Sequence, residues 1–250
     1  LLPAITTIAM SAGAKRMLGK KVIVKKLASI QNLGEINLLC TDKTGTITEG
    51  AIKISGNVDG LGIESEFVKE LAYWNAFFET GYTNPIDEAL KMLILETKIK
   101  AVKFGEIPYD FIRKRISIAI TTDTEKFLIT KGAYTQITSI CTQVRLSDGT
   151  VKNIASHKAE IDKKYEQFGI DGLRSIGICY KNTIATSISK EDETEMIFAG
   201  FILLEDPVKT GIIETIEELR KLQVNLKIIS GDNKNVAKSI ALTPRTACLN

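Results

Sequence analysis

The stretch Ile36 to Thr48 (INLLCTDKTGTIT) constrains the fold of this chain more than any other. Ile36, Leu38 and Leu39 read as a short buried strand that runs directly into a tight, hydroxyl-rich turn containing Gly45. Asp42 is thereby placed at the strand's carboxyl end. In open α/β sheets that edge is where ligands bind, because its loops carry free backbone N–H groups and vary without disturbing the sheet. A lone aspartate before a turn is by default a helix cap or an Asx turn. The residues around this one suit a second role. The neighbouring cation of Lys43, with the hydroxyls and amides of the turn, makes this a place where anionic charge is offset.

With 250 residues the chain can bury one large core or two moderate ones. A formal charge of +3 is nearly balanced, and no long basic block with interleaved aromatics occurs, which argues against a nucleic-acid partner. Cys40, Cys141, Cys179 and Cys248 form no Cys-x-x-Cys pair and His157 is the single histidine, so neither zinc nor disulfides frame the fold, and a reducing, cytosolic setting is the default.

Leu1 to Ala14 is mostly apolar or small and is followed by Lys15, Arg16, Lys20, Lys21, Lys25 and Lys26. The segment is too short to span a bilayer and lacks a charged leader, so on composition it reads as an ordinary helix. Gly13 and Gly19-Lys20 invite comparison with a P-loop, but the spacing is one residue too long and Lys21 replaces the required hydroxyl. Val22 to Val24 reads as a short strand. Beyond Thr48, residues 51–205 alternate short strands with helices, the pattern of an inserted α+β domain. Ser65 to Glu79 carries apolar residues at a helical period, and Asn84-Pro85 opens a second helix with Leu90, Leu93, Ile94 and Leu95 inward.

Phe104 to Ile120 holds a proline, two aromatics and a cationic triplet ahead of the alternating strand Ile116 to Ile120. As a group Tyr109, Phe111, Arg113, Lys114 and Arg115 could stack a base and grip phosphates, or could form a solvated edge. A strand ending at Lys131-Gly132 lets the backbone approach a ligand while the ammonium meets it. Asp148-Gly149 reads as a hairpin turn, 157–168 as an amphipathic helix, and Gly172-Leu173-Arg174 precedes a strand. The apolar strand Met196 to Leu204 is interrupted at Asp206-Pro207; a helix over 209–223 and a strand over 226–229 then end at Ser230-Gly231-Asp232. Hydroxyl, glycine and carboxylate at such a corner suit phosphate.

Asp42-Lys43-Thr44-Gly45-Thr46-Ile47-Thr48 resembles the phosphorylation motif of the P-type ATPases, ion pumps that form an aspartyl-phosphate. Lys131-Gly132-Ala133, Asp206-Pro207 and Ser230-Gly231-Asp232 follow in that family's order. The resemblance implies an α/β chain in which a discontinuous, truncated phosphorylation domain, Rossmann-like and of haloacid-dehalogenase type, occupies 21–49 and 206–250. An α+β antiparallel-sheet nucleotide-binding domain is inserted at 50–205, and 1–20 is the cytoplasmic end of a transmembrane helix with its linker, Leu2-Pro3 resembling the tail of an ion-site motif.

By the same resemblance Asp42 is the nucleophile, helped by Lys43, Thr44, Ser230, Gly231 and Asp232, and Mg²⁺ is held by Asp42 and the Thr44 carbonyl. Tyr109 stacks on adenine with Lys114 beside it, Lys131 and Gly132 meet the nucleotide, Arg174 reaches the phosphates, and Asp206 marks the hinge. The implied partners are ATP, a transported cation and an actuator domain of the same full-length chain. The implied setting is the cytoplasmic side of a multi-pass protein of the cell membrane, and the piece alone is expected to turn over poorly or not at all. The Pro-Tyr-Asp-Phe-x-Arg-x-Arg strand is most similar to the bacterial magnesium-transporting branch. Two alternatives are a free-standing dehalogenase-type phosphatase with a cap domain, against which Thr44 in place of a second aspartate argues, and a non-enzymatic ATP-binding module.

Overall fold

A computed structural model of the chain describes residues 2–81, 84–93 and 100–229. In chain order the elements are α1 (Leu2–Gly19), α2 (Ser29–Gly34), β1 (Leu38–Asp42), β2 (Lys53–Asp59), α3 (Glu66–Phe78), α4 (Pro85–Lys91), β3 (Val102–Asp110), β4 (Arg115–Thr121) and β5 (Lys126–Gly132). They continue as α5 (Tyr134–Thr138), β6 (Cys141–Arg145), β7 (Val151–Asn153), α6 (Lys158–Ile170), β8 (Arg174–Asn182), β9 (Met196–Glu205), α7 (Ile212–Lys221) and β10 (Asn225–Ile229).

Two sheets result. In the smaller, β1 and β10 pair in parallel, with Leu38 opposite Asn225 and Asp42 opposite Ile229. α7 covers this pair by a helical stripe, Ile212, Ile216 and Leu219, which meets Leu226, Ile228 and Ile47. The larger sheet has eight strands in the order β3-β4-β5-β8-β9-β6-β7, with β2 also on β9. Every pairing in it is antiparallel except β6 with β9.

β9 is the strand on which this sheet converges. β8 runs along one edge, while the other edge is divided, Met196 to Phe198 pairing with β6 and Gly200 to Glu205 with β2. The division needs a glycine. Gly200 has φ +152, and a Cβ there would stand 2.0 Å from the Val58 carbonyl oxygen. The β8 register slips here as well, so that Ala199 is the extra residue of a bulge and the inside-outside alternation of β9 changes phase.

Helices lie on both faces of the larger sheet. α3 and α4 pack Val68, Leu71, Trp74 and Leu90 against Ile118, Ile120 and Ile129, and the opposite face buries Ala119, Leu128, Phe198 and Phe201 with Ile137 and Ile161 from α5 and α6. Ile118, Ala119 and Ile120 thus alternate between two cores, as strand geometry requires. The helix starts follow local chemistry. Ser65 Oγ accepts from the Val68 N–H at 3.4 Å, and Asn84 Oδ1 accepts from Ile86 and Asp87 N–H at 3.0 Å each, with Pro85 in the first turn.

Two readings of the sequence change. Val22 to Val24 is not a strand: Val22 and Ile23 are exposed among lysines, and among the described residues no strand pairs with them. Leu38 and Leu39, expected to be buried, are exposed, because among the described residues β1 has only β10 beside it. Ile94, Leu95, Ser230, Gly231 and Asp232 lie outside the described residues. Among the described residues no helix is long and apolar enough to cross a membrane.

Candidate functional site

β1 delivers Asp42 to an exposed position at its carboxyl end, directly beside the end of β10. Asp42 Oδ1 accepts from the Lys43 N–H at 2.8 Å, and the chain then turns through Gly45 at φ +76, a conformation that suits glycine. Lys43 turns inward and is buried. Burial first, and then the Arg174 guanidinium, hold its ammonium below the usual lysine range, while the carboxylates of Asp206 and Asp42 pull the other way. Asp42 and Lys43 therefore share one electrostatic neighbourhood with Arg174 and Asp206, which lie far from them in sequence.

Asp206 closes the turn. Its Oδ2 accepts from the Thr48 hydroxyl at 2.6 Å and its Oδ1 from the Gly50 N–H at 3.0 Å. Alongside it the Glu49 N–H donates to Pro207 O at 2.8 Å, the Lys209 N–H to Ile47 O at 2.9 Å, and the Lys209 ammonium to Gly45 O. The two segments that run between the sheets, after β1 and after β9, are thus clasped to each other, with Thr48 bridged to Val208. Both carboxylate oxygens of Asp206 are occupied in this clasp.

The second group of residues gathers at one end of the larger sheet. Strand pairing sets Asp110 opposite Arg115, Arg115 opposite Gly132, Gly132 opposite Gly177 and Arg174 opposite Leu204. Tyr109, Lys114, Lys131, Gly132 and Arg174 accordingly lie toward the end from which β9 leaves for Asp206. Lys114 sits at φ +48 in the β3–β4 turn, where its carbonyl accepts from the Ala133 N–H at 3.1 Å. A side chain at position 132 would collide with that carbonyl, its Cβ 2.4 Å away, so Gly132 is required for β5 to pass this close. Tyr109 is exposed and stands edge-on to Phe111, ring centroids 5.4 Å apart.

Lys131 is buried rather than displayed. Its ammonium pairs with Asp87, also buried, and lies 3.4 Å from Glu79. Two carboxylates facing one cation leave excess negative charge. Burial, reinforced by Asp87 alongside, pushes the Glu79 carboxyl up to about 7 against the pull of Lys131. Below them Asn75 donates to Ile129 O at 2.9 Å and leaves its own buried side-chain oxygen without a partner. Sequence reasoning missed Glu79, Asn75 and Asp87 as members of this group. The signal for Asp87 was its place one turn into a capped helix; its partner comes from a strand 44 residues on.

Among the described residues no cluster of three or more His, Cys, Asp or Glu side chains forms a metal cage. The oxygens at the β1 turn, the carboxylate of exposed Asp42 and the carbonyl of exposed Thr44, are hard donors of the kind that Mg²⁺ takes when phosphate and water complete its shell.

Residues 29–211 match the family model described as P-type ATPase, cytoplasmic domain N. Magnesium-transporting ATPase, P-type 1 of Salmonella typhimurium (strain LT2) is 33% identical over 248 residues, which cover 96% of this chain and 28% of that protein. The protein of the same name from Escherichia coli K12 is equally similar, with the same coverage. Calcium-transporting ATPase 1 of Bacillus cereus is 26% identical over 268 residues, 96% of this chain and 30% of its own length. The chain therefore spans less than a third of the relatives it matches.

Proposed function

The chain belongs to the P-type ATPase family, and from that premise we propose that it carries the phosphoryl-accepting carboxylate and the nucleotide-holding sheet of an ATP-driven cation transporter in a cell membrane. The observation that carries this reading is Asp42, exposed at the end of a parallel strand pair with the buried Lys43 ammonium next to it. An oxygen of Asp42 attacks the γ-phosphorus of ATP, the bond from that phosphorus to the bridging oxygen breaks, and ADP leaves with the electron pair. The aspartyl-phosphate is later hydrolysed. Thr44, where a second carboxylate would act as acid and base, slows that hydrolysis and favours a pump over a simple phosphatase. Asp42 and the Thr44 carbonyl would hold Mg²⁺, which when bound neutralises charge on the transferring phosphoryl group.

Residues 21–49 and 206–250 make up one discontinuous phosphorylation domain of dehalogenase type in this reading, and 50–205 the inserted nucleotide domain. The parallel β1–β10 pair and the clasped crossings support that division. Ser230, Gly231 and Asp232 are assigned to the same phosphoryl chemistry as Asp42 by their motif alone. At the end of the larger sheet Tyr109 stacks on adenine, Lys114 and Arg174 meet phosphate, and Gly132 lets the backbone approach. Lys131 reaches the nucleotide from its pairing with Asp87 and Glu79. The cargo proposed is magnesium, supported by the names of the relatives at 33% identity. Residues 1–20 lead from a membrane helix on its cytoplasmic side, and the actuator domain of the full-length chain supplies dephosphorylation.

Incubation of the full-length parent with radioactive ATP tests the assignment. Acid-stable, hydroxylamine-sensitive label is expected, and Asp42→Asn abolishes it. Label of equal intensity in that variant would remove Asp42 from the mechanism. Titration of this chain with ATP tests the second group, where Tyr109→Ala and Lys131→Ala are each expected to weaken binding.

A further inference from the structure

The β3–β4 hairpin ends in three exposed apolar side chains, Tyr109 at 47%, Phe111 at 86% and Ile112 at 87% relative exposure. Burial of apolar surface therefore does not fix where this tip stands. An Asx turn shapes it locally, Asp110 Oδ1 accepting from the Ile112 and Arg113 N–H groups at 2.7 and 3.3 Å. Besides strand pairing and the Ala133 N–H that donates to Lys114 O at 3.1 Å, ionic contacts attach it to the rest of the molecule. Glu193, in the segment before β9, has a side chain that is 0% exposed.

Both Glu193 oxygens accept from the same Arg113 nitrogen, Nη1, at 2.6 Å each; Oε2 also accepts from Arg115 Nε at 2.7 Å and Oε1 from the Ser117 hydroxyl at 2.7 Å. Ser117 is itself 2.7 Å from the Thr130 hydroxyl, and Arg113 donates onward to Pro108 O at 2.7 Å, the residue before Tyr109. Burial alone would raise the Glu193 carboxyl. The bonds from Arg113, Ser117 and Arg115 outweigh burial and hold it below the usual carboxylate range.

Removing a carboxylate and two guanidinium groups from water at one point gives little net stability, since well-packed apolar residues of similar volume do as well. What such a network supplies is a fixed geometry. We propose that Glu193 is a positioning residue for the nucleotide site, its buried carboxylate gathering Arg113 and Arg115 so that the hairpin presents Tyr109 and Lys114 in one orientation. The inference rests on the reading of Tyr109 as the base-stacking ring. It also assigns Arg113 and Arg115 to Glu193 instead of to phosphate, leaving Lys114 as the cation of the triplet for the ligand.

Two measurements on this chain test it, amide hydrogen exchange at Phe111 to Lys114 without ligand, and titration with ATP and with inorganic tripolyphosphate. In Glu193→Gln the hairpin amides exchange about tenfold faster and ATP binds about tenfold more weakly, roughly the loss of one base-aromatic contact. Tripolyphosphate binds as well as before or better, because two guanidinium groups have lost their counter-charge. Glu193→Asp restores part of the ATP affinity. If Glu193→Gln fails to fold, Arg113→Met leaves Glu193 paired with Arg115 and Ser117 and gives the same exchange and ATP result. Unchanged hairpin exchange, or equal weakening of ATP and tripolyphosphate, overturns the proposal. Tyr109→Ala serves as the control for the site: if it leaves ATP affinity intact while Glu193→Gln still speeds exchange, the failure lies with the nucleotide reading, and the positioning role falls with it.

Discussion

The Glu79–Lys131–Asp87 group makes the stability of the fold fall as pH rises through neutrality. Glu79 keeps its proton in the folded chain up to about 7, against 4.5 when unperturbed. Between those values the folded state holds a proton that the unfolded chain has released, so the contribution is complete below 4.5, is lost as pH climbs toward 7, and is flat beyond. At about 1.4 kcal/mol per pH unit the full span amounts to about 3 kcal/mol, an upper value because Lys131 and Asp87 share the same charge balance.

The carboxylates that oppose this trend act in a lower window. Glu106, Asp162 and Glu193 are held below the usual range by hydrogen bonds that outweigh their burial, so they lose stability as pH falls. Glu70, raised by burial, has the same sign as Glu79, and comparison with Glu79→Gln separates the two. Urea unfolding at pH 5, 6, 7 and 8 is the assay. The wild-type chain should lose about 2–3 kcal/mol more than Glu79→Gln between pH 5 and 8. Parallel profiles for the two proteins would show that Glu79 does not hold a proton in the folded state and would refute the reasoning.

Gly132→Ala places a Cβ 2.4 Å from Lys114 O and 2.6 Å from Arg115 Cβ, so thermal unfolding should report a loss of about 2 kcal/mol or more, and an unchanged midpoint would contradict the close approach. Asp206→Ala strips the acceptor from the Thr48 hydroxyl and the Gly50 N–H, an expected cost of about 2–3 kcal/mol in urea unfolding, with Asp206→Asn intermediate. Phe198 is fully buried and Ile184 is 97% exposed, so Phe198→Ala should cost about 3–5 kcal/mol and Ile184→Ala stay within about 0.5 kcal/mol, both read by chemical denaturation.

Local chemistry was legible where a residue and its neighbours carry the whole instruction. Asp42 at a strand end, Asn84 and Pro85 opening α4, and the alternation of Ile118, Ala119 and Ile120 needed no knowledge of distant partners. Val22 to Val24 shows the limit of that reasoning, since strand propensity without a neighbour to pair with leaves an exposed loop. Leu38 and Leu39 show it again, an apolar pair whose covering layer is not among the described residues. The networks around Lys131 and Glu193 were illegible for a related reason. Lys131 meets Asp87 across 44 residues and Ser117 meets Glu193 across 76, and no periodicity or spacing rule links a charge on one element to its counter-charge on another. The motif located Lys131 and Tyr109; only the assembled sheet reveals what restrains them.

The place of β9 in the chain governs how this molecule is made. Seven of the eight strands of the larger sheet are synthesised before residue 196, yet β8, β6 and β2 all await β9 as a pairing partner. A nascent chain leaving the ribosome therefore carries open strand edges and half-formed cores until Glu205 has emerged, and at that point a single addition closes them together. Translation that pauses before β9 prolongs the interval in which those edges attract one another or a chaperone, whereas a pause once Glu205 has emerged does not.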